Sequence, residues 1–320
     1  MNKYAVVLFN LGGPDSLESV QPFLENLFND PDIFKLPFQK TLARYISKKR
    51  APKVQEEYKL IGGKSPIGYW TELQRKMLEN KLREEKFNVD VITAMRYWHP
   101  LTSEAVNKTE QGNYDKIFLL PLYPHFSIST TGSSFNEWKR LYNGDSNKLV
   151  YINSYFNDTD YIQAVNQRID ESLLRLPEEI RNNVLLVFSA HGTPQSYIKK
   201  GDPYLCEIMT CVDEIMKLRN HSHEHHLCFQ SKVGPQKWLE PATDDMIKEL
   251  ADKEKKHLLI IPISFVSDHI ETSFELDIEY RHVADEAGIE TYIVMEGLND
   301  SEKFIDALSN IVKRKADEIT

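Results

Sequence analysis

Only three cysteines occur in the 320 residues of this chain. So sparse and odd a count excludes a disulfide framework and fits free thiols in a reducing compartment, so the cytoplasm is the expected location. Cys206, Cys211 and Cys228 lack C-x-x-C spacing and a fourth thiolate. They read as small apolar residues or free thiols, with a structural zinc on a nearby histidine as the lesser alternative. Long apolar runs are missing too. None approaches the roughly 20 residues that span a membrane, and Tyr4-Ala-Val-Val-Leu-Phe9 begins without the charged start and cleavage site of a secretory signal. Positive charge is in deficit: 39 Lys and Arg stand against 48 Asp and Glu, a net charge of −9. No nucleic-acid partner is expected, because displacing phosphate counterions needs basic clusters.

Nucleotide fingerprints are also absent. Gly12-Gly13-Pro14 follows the first apolar run but is not G-x-G-x-x-G, and a proline stands where the backbone would have to donate to phosphate. Gly62-Gly63-Lys64-Ser65 looks like the tail of a phosphate loop, yet Tyr58 holds the leading glycine's place and Pro66 follows.

What is present is alternation. Strand-like runs at 5–10, 89–93, 117–122 and 149–152, then at 184–189, 226–230, 258–263 and 291–294, have helical patterns between most of them. This β-α-β-α order, met twice, predicts an α/β fold of two similar Rossmann-like parallel-sheet domains joined by right-handed crossovers. The boundary falls near 155, giving domains 1–155 and 156–320. Residues 301–320 read as one amphipathic helix that could pack on either domain.

The chain is organised around Pro262–Tyr280, where the buried strand His257-Leu-Leu-Ile-Ile-Pro-Ile ends and a carboxylate-rich helix begins. Ligands of open α/β sheets bind at such carboxyl ends. Glu271, Glu275 and Glu279 are spaced four apart, so one helical face carries three acids able to hold a cation or pass protons. Asp268 and His269 stand at the turn before them. The plainer alternative is a capping box, Asp268-x-x-Glu271, with a solvated face behind it. Val184-Leu-Leu-Val-Phe-Ser-Ala-His191 is a second strand, and it delivers His191 to the same rim as Asp268 to Glu271. An imidazole facing carboxylates can accept a proton or bind a metal. The tract His221-Ser-His-Glu-His225-His226 lies in a polar insertion and reads as a surface loop with adventitious metal affinity.

At these residues the chain resembles the ferrochelatases, enzymes that insert ferrous iron into a porphyrin. The likeness rests on Phe188-Ser-Ala-His191-Gly-Thr-Pro, Phe229-Gln-Ser-Lys-Val-Gly-Pro-Gln-Lys-Trp238 and Ser267-Asp-His-Ile-Glu271-Thr. It extends to Asn10-Leu-Gly-Gly-Pro14, Lys53–Tyr58 with Ile61–Pro66, Met95-Arg96-Tyr97-Trp98-His99-Pro100, and Tyr123-Pro-His-Phe-Ser-Ile-Ser-Thr-Thr-Gly-Ser-Ser134. These blocks follow the family's order across nearly the whole chain.

The resemblance implies a chelatase-like pair of domains with a porphyrin cleft between them. It implies His191 and Glu271 as the active-site pair, one taking protons and the other meeting iron, with the assignment open. Glu275 and Glu279 would extend a path to solvent on a helix containing a π-turn. Porphyrin contacts fall to Arg50, Tyr58, Ser65, Arg96, Tyr97, Tyr123 and Trp238, since such a ligand needs an apolar slot with a few polar anchors. Residues 33–50 correspond to the pocket's lip, where peripheral membrane contact is left open against a solvent-facing basic helix. No permanent cofactor is implied and Fe²⁺ is a substrate. A [2Fe–2S] cluster is not expected, because Ile128 stands where the animal enzymes have a cluster cysteine and their cysteine-bearing extension is missing. Lys64 replaces the third glycine of the family's Gly-Gly-Gly-Ser-Pro loop and puts that loop's geometry in question. Protoporphyrin IX is the expected substrate. Coproporphyrin III and a non-catalytic tetrapyrrole carrier are the competing readings, and both monomer and homodimer remain open.

Overall fold

The structure, a computed structural model, describes residues 2–232 and 236–319. It contains two compact units, Met1–Tyr155 together with Asn299–Thr320, and Phe156–Leu298.

The first unit holds a parallel sheet of β1 (Tyr4–Asn10), β2 (Val89–Met95), β3 (Lys116–Pro121) and β4 (Leu149–Tyr151), in the order β2-β1-β3-β4. The second repeats the plan with β5 (Leu185–His191), β6 (His225–Gln230), β7 (His257–Pro262) and β8 (Thr291–Val294), in the order β6-β5-β7-β8. All neighbours are parallel. β1 and β5 lie inside their sheets, so both their faces are covered, and this is why they read as continuous apolar runs without alternation. Registers match as well: Phe9 faces Pro121 in one sheet and Ser189 faces Pro262 in the other.

Of the two homes left open for the final helix, Glu302–Asp317 takes the first unit, so the second unit ends at Leu298 and not at 320. Phe304, Leu308, Ile311 and Val312 are buried there. The Lys81–Asp306 and Glu85–Lys313 ion pairs beside them, at 2.6 and 2.7 Å, are exposed. Exposed pairs contribute about 0–1 kcal/mol, whereas each large apolar side chain buried contributes roughly 1.5–3 kcal/mol. Apolar burial therefore holds this helix.

The glycine loop is formed without a third glycine. Positive φ falls on Gly62 (95°) and Gly63 (80°) and not on Lys64, so a side chain is tolerated at that position. Ser65 N–H donates to the Pro14 carbonyl at 2.8 Å and ties this loop to the one after β1.

Among the described residues two segments have π-helical geometry. Ile128–Gly132 and Glu271–Glu279 are π-helices, each following the third strand of its unit. The longer one is anchored by Leu276, fully buried in the second unit's core.

Candidate active site

His191 is the last residue of β5, and both its main-chain groups are fixed. Its N–H donates to Ser264 Oγ at 2.8 Å, and its carbonyl accepts from the Tyr204 hydroxyl at 2.9 Å. Gly192 follows because β6 presses on it: a Cβ there would meet the Gln230 carbonyl oxygen at 2.7 Å.

The imidazole is aimed at the π-helix. Nδ1 of His191 lies 2.9 Å from Oε2 of Glu271, the first residue of that helix. Burial pushes the imidazole pKa down, but the Glu271 charge and this hydrogen bond outweigh it and hold His191 above its ordinary value, with Glu275 adding to the effect. Burial likewise pushes Glu271 up, and His191 with His269 more than reverses it, leaving the carboxyl well below the usual range. Glu271 is therefore ionised and Nδ1–H donates to it. The neutral ring then offers Nε2 as a lone pair. At 36% and 27% side-chain exposure the pair is reachable from outside the unit.

The residues at the turn are committed to holding it. His269 is buried, its Nδ1 donates to the Ser267 carbonyl at 3.1 Å, and its Nε2 lies 3.7 Å from Glu271 Oε2. Asp268 accepts from Thr272 Oγ1 at 3.0 Å and from Gly297 N–H at 3.2 Å, pinning the start of the π-helix to the segment after β8.

The three acids spaced four apart do not share one environment. Glu275 is partly buried and accepts from Gln230, Ser231 and Tyr280, whereas Glu279 is exposed. Among the described residues no cluster of three or more His, Cys, Asp or Glu side chains is placed to hold a metal ion. His191 and Glu271 thus present two donor atoms, one on the ring and one on the carboxylate, and no third such side chain stands with them among the described residues. In the histidine tract, His223 Nε2 donates to the Arg181 carbonyl at 3.1 Å and His226 Nε2 pairs with Glu224 at 3.2 Å.

The porphyrin candidates divide between the units. Tyr58, Ser65, Tyr97 and Tyr123 are buried in the first. Arg96 Nη2 is 3.1 Å from Asp30 Oδ2, Arg96 Nε donates to Ser133 Oγ at 2.9 Å, and the Tyr97 hydroxyl donates to Asp30 at 2.7 Å. Ser133 Oγ also donates to Asp30. The polar ends of Arg96 and Tyr97 are thus spent on an internal carboxylate. Arg50 is exposed on the helix Gln39–Leu60, its guanidinium 5.7 Å from the Phe28 ring centre. Trp238 belongs to the second unit, where it lines a cavity of about 400 Å³ with Gly192, Gln230 and Lys232, next to His191. Val233, Gly234 and Pro235, part of the Phe229–Trp238 block, lie outside the described residues.

Sequence reasoning missed Asp30, Gln230, Ser231, Ser264, Tyr204 and Tyr280. Gln230 and Ser231 were visible inside the block at Phe229, though without a role. Asp30 carried no signal, as its partners stand at positions 96, 97 and 133.

Comparison with known proteins identifies the family. A family model described as Ferrochelatase matches residues 3–316. A ferrochelatase of Rippkaea orientalis is 45% identical over 326 residues, covering 99% of this chain and 84% of its own length. One from Trichodesmium erythraeum is 46% identical over 325 residues with the same shares. Among solved structures, SirB from Bacillus subtilis with Fe³⁺ is similar at a TM-score of 0.57 and 13% identity, over 98% of this chain and 96% of that one. The sirohydrochlorin chelatase SirB from Bacillus subtilis subspecies spizizenii in complex with cobalt gives 0.52 and 10%, over the same shares. At such identities the likeness concerns the fold, a chelatase-like pair of parallel sheets.

Proposed function

The chain belongs to the ferrochelatase family, and from that premise we infer that it inserts ferrous iron into protoporphyrin IX, the terminal step of haem synthesis. The observation that carries the assignment to residues is the 2.9 Å pairing of His191 with Glu271.

Metallation must remove two pyrrole protons and deliver a stripped Fe²⁺ to the ring nitrogens. His191 takes pyrrole protons at Nε2, since Nδ1 is committed to Glu271. The raised basicity that Glu271 confers suits it to this task. Glu271 stays ionised, steadies the imidazolium that forms, and meets the iron at Oε1, its Oε2 being engaged. His269 and Asp268 hold the turn from which Glu271 projects. Iron is a substrate here, and no resident cofactor is invoked. Arg50, Tyr58, Ser65, Arg96, Tyr97, Tyr123 and Trp238 remain the candidates for shaping the porphyrin pocket, Arg96 and Tyr97 through their buried frame.

The segment 33–50 supports a peripheral contact with an anionic membrane surface. Seven basic residues and no acid lie between Ile33 and Gln55, and Phe38 and Tyr45 are 86% and 64% exposed among them. Among the described residues no helix is long and apolar enough to cross a membrane. Cosedimentation with anionic but not neutral vesicles, lost on Phe38→Ser with Lys40→Glu, tests this contact.

Anaerobic Fe²⁺ insertion followed by visible absorbance, with protoporphyrin IX and coproporphyrin III in parallel, tests the function. Faster metallation of protoporphyrin, abolished in His191→Ala while porphyrin still binds, is the expected result. Preference for coproporphyrin would change the substrate and keep the chemistry. Binding of both without metallation would leave a carrier.

A further inference from the structure

An ionised carboxylate has about four acceptor positions, and at Glu275 all are filled. Oε1 accepts from Ser231 N–H at 2.7 Å and from the Tyr280 hydroxyl at 3.0 Å. Oε2 accepts from Gln230 Nε2 at 3.1 Å and from Ser231 Oγ. Two of these donors, the Ser231 main-chain amide and the Gln230 carboxamide nitrogen, cannot accept a hydrogen bond in return.

The Gln230 orientation is settled by its neighbours. Nε2 faces two acceptors, Glu275 Oε2 and the Glu271 carbonyl oxygen at 3.2 Å, while Oε1 accepts from Ser189 Oγ at 3.0 Å. Gln230 is 1% exposed, so its carboxamide relies on these protein partners. Ser231 has φ +65°, a left-handed conformation that a residue with a Cβ adopts only when held there. The holding group is the same carboxylate. Burial and the Glu271 charge push the Glu275 pKa up, and the donors on Ser231, Gln230 and Tyr280 oppose that rise. A proton arriving at either oxygen meets one neighbour that can only donate, the Ser231 amide at Oε1 or the Gln230 carboxamide at Oε2, and needs the Tyr280 or Ser231 hydroxyl to turn before it has an acceptor.

Building on the metallation reading above, we propose that Glu275 is a positioning clamp and not a proton carrier: it locks Gln230 and Ser231 onto the π-helix, and through Gln230 fixes the Glu271 main chain opposite His191. The sequence expectation of a relay through Glu271, Glu275 and Glu279 is thereby broken at its middle member.

Ser231→Ala and Gln230→Met leave the carboxylate in place and remove donors from it, which separates the two roles. The clamp predicts that each lowers kcat for Fe²⁺ insertion about tenfold, the scale of one hydrogen bond to a charged group, at unchanged porphyrin KM. The double variant Ser231→Ala with Glu275→Gln should then be no slower than Glu275→Gln alone. Wild-type kcat in Ser231→Ala and Gln230→Met, beside a hundredfold or greater loss in Glu275→Gln that added buffer base restores, would make Glu275 a proton carrier and overturn the proposal. Amide hydrogen exchange at Ser231 in the porphyrin-free protein is read independently of activity. Faster exchange in Glu275→Gln is expected, and an unchanged rate refutes the clamp even where no porphyrin is metallated. Should Glu275→Gln fail to fold, the kcat of Ser231→Ala, where only one side-chain donor is removed, decides the matter.

Discussion

Both units flank a central strand with their second and third strands and follow the third with a π-helix, yet the two π-helices carry different chemistry. In the first unit the helix Ile128–Gly132 is introduced by Ser127 and bears Ser129, Thr130 and Thr131, and Ser127 Oγ accepts from Ser129 N–H within the turn. The ionic residues of that unit's interior, Asp30 and Arg96, neutralise each other, with Asp30 fully buried. At the end of β1, Asn10 is locked onto Thr71 at 3.0 Å. In the second unit β5 ends on His191 and the π-helix opens on Glu271, and the pair keeps one ring nitrogen and one carboxylate oxygen for outside partners. An ion pair closed on itself inside a unit holds the fold, whereas a pair with open valences at the unit's surface can do chemistry. The two units share a frame and differ in the side chains it carries at these positions.

The largest effect is expected where the open network is closed. Glu271→Gln should lower the insertion rate by about 10²–10⁴, the range for an acid–base partner, with porphyrin affinity by fluorescence quenching retained. In the native protein the rate should rise with pH as His191, held above its ordinary 6.5, loses its proton, and Glu271→Gln should move that midpoint down. Stability carries the corresponding signs. The raised His191 contributes stability below its unfolded pKa and loses it as pH climbs through the folded value. The depressed Glu271 contributes above its unfolded 4.5 and loses it as pH falls through the folded value. A rate profile unmoved by Glu271→Gln would dissociate the two residues.

An intermediate effect should follow from opening the closed network. Asp30→Asn leaves Arg96 with only the more distant carboxylate of Glu137, 3.7 Å from Nη2, at a cost approaching the roughly 3–5 kcal/mol of a broken buried pair. Urea unfolding of the variant measures it, and a loss below about 1 kcal/mol would show that Arg96 finds another partner. The smallest change belongs to Glu279→Gln. That residue is exposed, so stability should stay within about 0.5 kcal/mol and the insertion rate near that of the native protein. A large loss there would restore a role for the third acid.

All eight strands were legible in the sequence because buried parallel strands are short apolar runs, and the two rims followed from their carboxyl ends. His191 and Glu271 were legible as chemistry at those ends. Their place on one rim was legible as well, but the 2.9 Å contact between Nδ1 and Oε2 was not, since 80 residues separate them and no spacing rule gives a side-chain geometry. The four-residue spacing of Glu271, Glu275 and Glu279 suits a shared helical face, but it cannot report that one carboxylate is saturated by a turn from β6. Asp30 illustrates the limit most plainly, since a lone acid looks the same whether it is solvated or buried against an arginine. The amphipathic pattern of 301–320 told that a face is covered and not which surface covers it.

That helix has a consequence in time. Ribosomal synthesis releases residues in order, so Asn299–Thr320 emerges only after the whole of Phe156–Leu298. The first unit must therefore wait with one face of the helix Ile67–Glu84, against which the final helix packs, left bare, while the later-made unit, uninterrupted in sequence, can finish before it. Maturation of this chain thus runs against its numbering: the part begun first is completed last.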